Sequence, residues 1–223
     1  MLEKYIPNVL QFKDRLLDST RDTLIMVLVS AVIAIILGIL LGILLVVTEE
    51  GKLYENRRIH DIAGKIINIF RSIPFVILIT LFLPFTRILV GTSIGVKGAI
   101  VPMVLANIPF MARQAEQALA EVDPGVIEAA RAMGMSKPYI IWRVILKEGI
   151  GGIARAIVIS VISLINLSAM AGTVGGGGLG DFAIRYGYGQ YMADITIVTV
   201  IILLLMVSVV QGLGNLAVRR LTH

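Results

Sequence analysis

The chain has 223 residues, of which 57% are hydrophobic and 16% charged, and its mean hydropathy is +0.90. That is too apolar for an ordinary water-soluble domain. There are no cysteines, which excludes disulfides, thiolate catalysis and cysteine-based metal sites. The net charge of +5 in so apolar a chain reads through its position along the membrane rather than as a nucleic-acid footprint. At about 20 residues per crossing there is room for five or six membrane helices.

The first twenty residues are polar and mixed in charge and have no cleavable-signal pattern. Over 1–23, Ile6, Val9, Leu10, Leu16 and Leu17 fit either an amphipathic interfacial helix or a polar lead-in. Leu24 to Val47 is free of charge and long enough to cross with some tilt. It contains Gly38-Ile-Leu-Leu-Gly42, a face on which another helix can approach closely. Residues 48–65 read as a charged loop.

A second span is expected over 66–83. It includes Arg71 and Pro74, and the proline should kink it. An arginine in a span faces either the protein interior or the headgroup layer, so Arg71 is a pathway candidate or a snorkelling side chain. Residues 84–97 read as a loop. The third span, over 98–113, holds Pro102 and Pro109 and is expected to be broken. Asn107 beside Pro109 lines a pathway or satisfies freed backbone groups.

The polar interval 116–148 separates the apolar halves. Asp123 is a good N-cap, Pro124 suits the first helical position, and Gly134 suits a left-handed residue just past the helix end. Ser136 and Pro138 then start a second helix running through Trp142 toward Glu148. Glu128 and Arg131 can pair at i,i+3, and Val126, Ile127, Ala130 and Met133 give an apolar face. About ten residues do not make a stable helix alone in water. The interval is therefore either a solvated connector or a helix that docks into a groove on a partner.

The fourth span is expected over 149–171, with Ser160, Ser163, Asn166 and Ser168 as polar points. The glycine run that follows formally matches GxGxxG at Gly175, Gly177 and Gly180. With no preceding strand and no βαβ unit it is no dinucleotide site, and it reads as a bend or re-entrant turn. Tyr186, Tyr188 and Tyr191 suit the headgroup level. The fifth span covers 195–213. The fold class expected is thus all-α: a polytopic membrane protein of five transmembrane helices in a single 1–223 domain.

With the N-terminus outside and loop 48–65, the polar interval and the C-terminus in the cytoplasm, Lys4, Lys13, Arg15, Arg21, Arg87, Lys97 and Arg185 stay outside. Arg71 falls in a span, and the remaining Lys and Arg of the twenty lie inside, as the positive-inside rule requires. There is no P-loop, no HExxH, no Gly-x-Ser-x-Gly and no intramembrane carboxylate pair. No catalytic residue, metal site or cofactor is expected. A path without an engine of its own remains, and a self-sufficient facilitator is one reading of it.

Glu128-Ala129-Ala130, three further residues and Gly134 resemble the EAA motif of ABC importer permeases. Lys147 stands where that motif usually ends in proline. With Phe70-Arg-Ser-Ile-Pro-Phe75, Leu83-Pro-Phe-Thr-Arg87, Val90-Gly-Thr-Ser-Ile-Gly95 and Ser168-Ala-Met170, the chain from about Leu24 to Arg220 is similar to the methionine branch of those permeases. The resemblance implies a homodimer in the bacterial plasma (inner) membrane, cytoplasmic ABC ATPase subunits and an extracytoplasmic substrate-binding protein or lipoprotein. It implies that Glu128, Ala129, Ala130 and Gly134 form the coupling-helix core. Met133 would be an apolar plug or a local packing residue. Met170, with Asn166 and Ser168 nearby, would lie near an outer gate or merely pack.

Overall fold

The structure is a computed structural model that describes residues 6–221. It is all-α, with no strand among the described residues. In chain order the helices are α1 (Pro7–Gln11), α2 (Lys13–Thr48), α3 (Arg57–Ser72), α4 (Phe75–Val90), α5 (Gly95–Ala120) and α6 (Pro124–Ala132). Then come α7 (Lys137–Tyr139), a π-helical stretch Ile140–Ile145, α8 (Leu146–Glu148), α9 (Ile150–Gly172), α10 (Gly178–Phe182), a π-helical stretch Ala183–Tyr188 and α11 (Ala193–Leu221). Four helices, α2, α5, α9 and α11, are long and apolar enough to cross a membrane, and α3 with α4 makes a fifth if that bent pair is one span.

Several expected boundaries move. The span 66–83 is not one helix: α3 and α4 meet at Ile73-Pro74 with a bend of 107°. Pro74 has no N–H to give and biases the residue before it away from helix, so the expected kink becomes a break. Arg71 accordingly lies exposed in the last turn of α3 and not inside a continuous span. The loops expected over 48–65 and 84–97 shrink, because α3 begins at Arg57 and α4 runs to Val90. The third span is not broken either. α5 stays helical through Pro102 and Pro109, since a bilayer offers no water to an opened backbone. At the N-terminus, α2 extends the first span back to Lys13.

The chain divides into two compact units. One has its described residues within Met1–Ile33, Ile73–Asn107 and Val161–Gln211. Here the Asp194 carboxylate accepts from the Asn8 backbone and side-chain amides at 3.0 Å each. Val9, Phe182 and Ile195 pack together beside them. The glycine run folds back as a tight turn, as expected. A Cβ at Gly172 or Gly180 would collide with backbone across that turn. The Thr23 hydroxyl accepts from the Leu179 N–H at 2.8 Å.

The other unit comprises Ala34–Ser72, Ile108–Ser160 and the described residues of Gly212–His223. Its spine is the close approach of α2 to α5. A Cβ at Gly38 would sit 2.6 Å from the Met111 Cβ, and one at Gly42 2.6 Å from the Ala115 Cβ. The GxxxG face is therefore consumed within the chain, which brings two helices to backbone contact where lipid gives no hydrophobic drive. A core of Val46, Val47, Leu53, Leu119, Ile140 and Ile145 lies at one end of this spine, and the polar interval is built on it.

Candidate functional site

The polar interval folds as the local rules require. The Asp123 side chain accepts from the Gly125 N–H at 2.8 Å, and Pro124 opens α6. A cap of this kind satisfies a donor that the first turn cannot. At the other end Gly134 takes a left-handed φ of +76°, with nothing within 4 Å of where a Cβ would stand. Its N–H donates to the Arg131 carbonyl at 3.0 Å, and the Met135 N–H to that of Ala130 at 3.2 Å. Ser136 is extended and its hydroxyl makes no capping bond, so it starts α7 by backbone geometry alone. From there the chain stays helical to Glu148, passing through the π-helical stretch, which sequence periodicity did not reveal.

The apolar face of α6 is split between two directions. Ala130 is 2% exposed and packs in the core with Val46, Val47, Leu53, Ile140 and Ile141. Ile127 packs against the same core. Met133, by contrast, is 67% exposed, and Val126, Glu128, Ala129 and Gly134 are exposed too. Of the motif residues, then, one alanine holds the helix down while the other is presented outward with Glu128 and Met133. Met133 makes no local packing contact that shields it. Helical spacing explains the split. Ile127 and Ala130 are three apart on one side, and Val126, Ala129 and Met133 recur at three and four on the other.

Glu128 and Arg131 do not form the expected ion pair; among the described residues the ion pairs are Arg113–Glu116 and Arg185–Asp181. Instead both line a small pocket of about 90 Å3 together with Lys52, Leu53, Pro124 and Ile127. Beside it the Lys137 ammonium lies 4.9 Å from the centre of the Tyr54 ring. The turn Gly51–Tyr54 thus forms part of the floor under α6. That contribution was not read from the sequence, where 48–65 looked like a charged loop.

The other candidate residues differ in burial. Ser168 is buried, and its Oγ donates to the Ile165 carbonyl of its own helix at 2.7 Å. Asn166 and Met170, four residues apart on α9, share an exposed face instead. Asn107 is wholly buried on α5, and Arg71 lies exposed at the end of α3. The coherent surface is that of α6: short, capped at both ends, bolted to a core through Ala130 and Ile127, and bare on its outer side.

Residues 34–223 match the family described as binding-protein-dependent transport system inner membrane component. A methionine import system permease protein, MetP, of Bacillus subtilis is 46% identical over 216 residues, covering 97% of this chain and 96% of that protein. A probable D-methionine transport system permease protein, MetI, of Vibrio cholerae is 44% identical over 210 residues, covering 94% and 93%. Among solved structures, an inward-facing conformation of the MetNI methionine ABC transporter superposes with a TM-score of 0.93 at 40% identity, covering 96% of this chain and 99% of that one. An amino acid ABC transporter described with histidines shares the fold, with a TM-score of 0.79 at 20% identity. With a family match over most of its length and relatives this similar along nearly all of it, the chain belongs to the inner membrane components of binding-protein-dependent transport systems.

Proposed function

We propose that this chain is the translocating subunit of an ATP-driven methionine importer. It works as a homodimer in the bacterial inner membrane, with its N-terminus outside and its C-terminus in the cytoplasm. ATP is hydrolysed on separate ABC ATPase subunits, and an extracytoplasmic binding protein delivers the substrate. The transport class rests on the family, and the choice of methionine on relatives whose names specify it. The orientation rests on the placement of Lys and Arg.

The observation that carries the mechanism is the two-sided α6. Its outer face offers Glu128, Ala129 and Met133 to a groove on the ATPase, and Met133 is flexible enough to fill such a groove. Its inner face is fixed through Ala130 to Val46 and Val47 at the end of α2 and to Ile140, Ile141 and Ile145 before α9. Closely packed interiors transmit displacement rather than absorb it. Movement of the ATPase groove is therefore passed to the ends of two spanning helices. Access to the path then alternates, with Asn166 and Met170 on the exposed face of α9, Ser168 and Asn107 in the interior and Arg71 at the end of α3 as candidate pathway or gate groups.

The chain has no native cysteine, so Ala129→Cys gives a single cross-linking handle. Disulfide capture of a cysteine placed in the ATPase groove is expected from this position. Cross-linking from an outward position on α11 but never from residue 129 would sink the docking assignment.

A further inference from the structure

A set of contacts holds one side of helix α3. A His60 ring nitrogen, Nδ1, lies 3.1 Å from the Leu45 carbonyl oxygen. The Arg113 guanidinium donates to the Gly64 carbonyl at 3.3 Å and to Asn68 Oδ1 at 3.2 Å. Ala63 and Ile67 pack with Leu41, Leu45 and Ala112. These contacts gather around Leu41, Leu45 and Ala112 and leave the opposite side of α3 uncovered.

The remaining circumference of α3 is sorted by chemistry. At roughly 100° per residue, Ile59, Ile62, Ile66 and Ile69 share an arc of about 80°. The described chain leaves these side chains 44–60% exposed. The adjoining arc carries Arg58 and Lys65, with Arg57 in the first turn of the helix, Arg71 at its end and Asp61 as its one carboxylate. The central turns of α2 and α11 also expose apolar side chains but carry no charge among them and need only hydrocarbon. The isoleucine stripe of α3 meets the same need. Its four cations against one carboxylate ask for a surface of opposite sign. An apolar stripe flanked by Lys and Arg is the pattern of a helix lying in the headgroup layer.

We propose that α3 is an interfacial helix that binds anionic phospholipid. The four isoleucines enter the acyl boundary, and Arg57, Arg58 and Lys65 reach the phosphate level. Neutral lipid satisfies the isoleucines but not the charge, and each cation near an anionic surface adds roughly five-fold in affinity. Leu45, on which α3 rests, directly precedes Val46 and Val47, which pack against Ala130 of α6. Lipid seated on α3 thus steadies the floor of the docking helix. The inference needs only a chain that spans a membrane, so it stands whatever solute is carried.

The test uses the full chain carrying Ile62→Cys, labelled with a fluorophore and reconstituted into phospholipid nanodiscs. Quenching by brominated phosphatidylglycerol is compared with quenching by brominated phosphatidylcholine at equal mole fraction. The phosphatidylglycerol should quench several-fold more effectively at low salt. The preference should fall as salt rises, since exposed charges are screened, and this arm needs no further variant. Arg57→Gln/Arg58→Gln/Lys65→Gln should bring the two lipids level while the label stays quenched. Equal quenching by both lipids in the unaltered sequence would refute the anionic preference. A label quenched by aqueous iodide but by neither lipid would mean that α3 is solvated. A label shielded from iodide and from both lipids would mean that a second copy of the chain covers the stripe. Each of the last two results overturns the proposal.

Discussion

Two adjacent alanines offer the sharpest check on the two-sided docking helix. Ala129 and Ala130 are chemically identical neighbours, yet Ala130 is 2% exposed in the core and Ala129 is exposed. Leucine in place of Ala130 pushes three extra carbons into a space already bounded by Val46, Val47, Leu53, Ile140 and Ile141. Overpacking of this kind costs about 1–3 kcal/mol. For a chain of this size that is a shift of roughly 2–4 °C in Tm per kcal/mol. The same leucine at Ala129 meets solvent in the isolated chain and should change stability by no more than about 0.5 kcal/mol. It stands, however, on the face offered to the ATPase. A bulky side chain there should weaken association at least ten-fold, about 1.4 kcal/mol. The assay pairs thermal unfolding in detergent, followed through Trp142, with co-purification of the ATPase. Ala130→Leu should be unstable before it is uncoupled; Ala129→Leu should be stable and uncoupled. If Ala129→Leu proves the less stable of the two, or Ala130→Leu melts normally, the inward and outward assignment of this helix is wrong.

Three further outcomes follow from the same geometry. Gly134→Ala should cost roughly 1–2 kcal/mol through the left-handed backbone alone, because no atom lies within 4 Å of the new Cβ. Gly134→Asn should recover part of that in the same melting assay, and equal losses for both would point to a contact instead of a strain. Asp123→Ala removes the cap on Gly125 and should cost about 1 kcal/mol, seen as faster amide exchange confined to the start of α6; unchanged exchange there would mean that the cap is idle. Gly42→Val should part α2 from α5, since even a Cβ falls 2.6 Å from that of Ala115. Its expression and Tm should drop well below those of Gly212→Val, where a Cβ meets nothing within 4 Å.

The parts of the fold legible in the sequence were those governed by local chemistry. Asp123, Pro124 and Gly134 bound α6 because caps and left-handed turns are decided by a few neighbouring atoms. The GxxxG face and the folded glycine run were legible because small residues advertise close approach. Context hid the rest. The Ile59, Ile62, Ile66 and Ile69 spacing was present in the sequence, but the charges among them split it between a loop ending at residue 65 and a span starting at 66. Pro74 reads the same whether it kinks a helix or ends one. Pro102 and Pro109 suggested a break that the membrane environment suppresses. In the polar interval nothing local distinguishes Ala129 from Ala130. Which one is buried depends on Val46, Leu53 and Ile140, residues far apart in the sequence. For the same reason Ser168 looked like a lining residue until its helix turned it inward.

The most direct measurement is uptake of labelled methionine into proteoliposomes holding this chain, its ATPase and its binding protein, with and without ATP. Uptake should need ATP, be competed by methionine analogues and be lost in Ala129→Leu although that variant folds normally. Uptake indifferent to ATP would contradict this, because a chain that moves solute unaided has no use for an exposed docking helix.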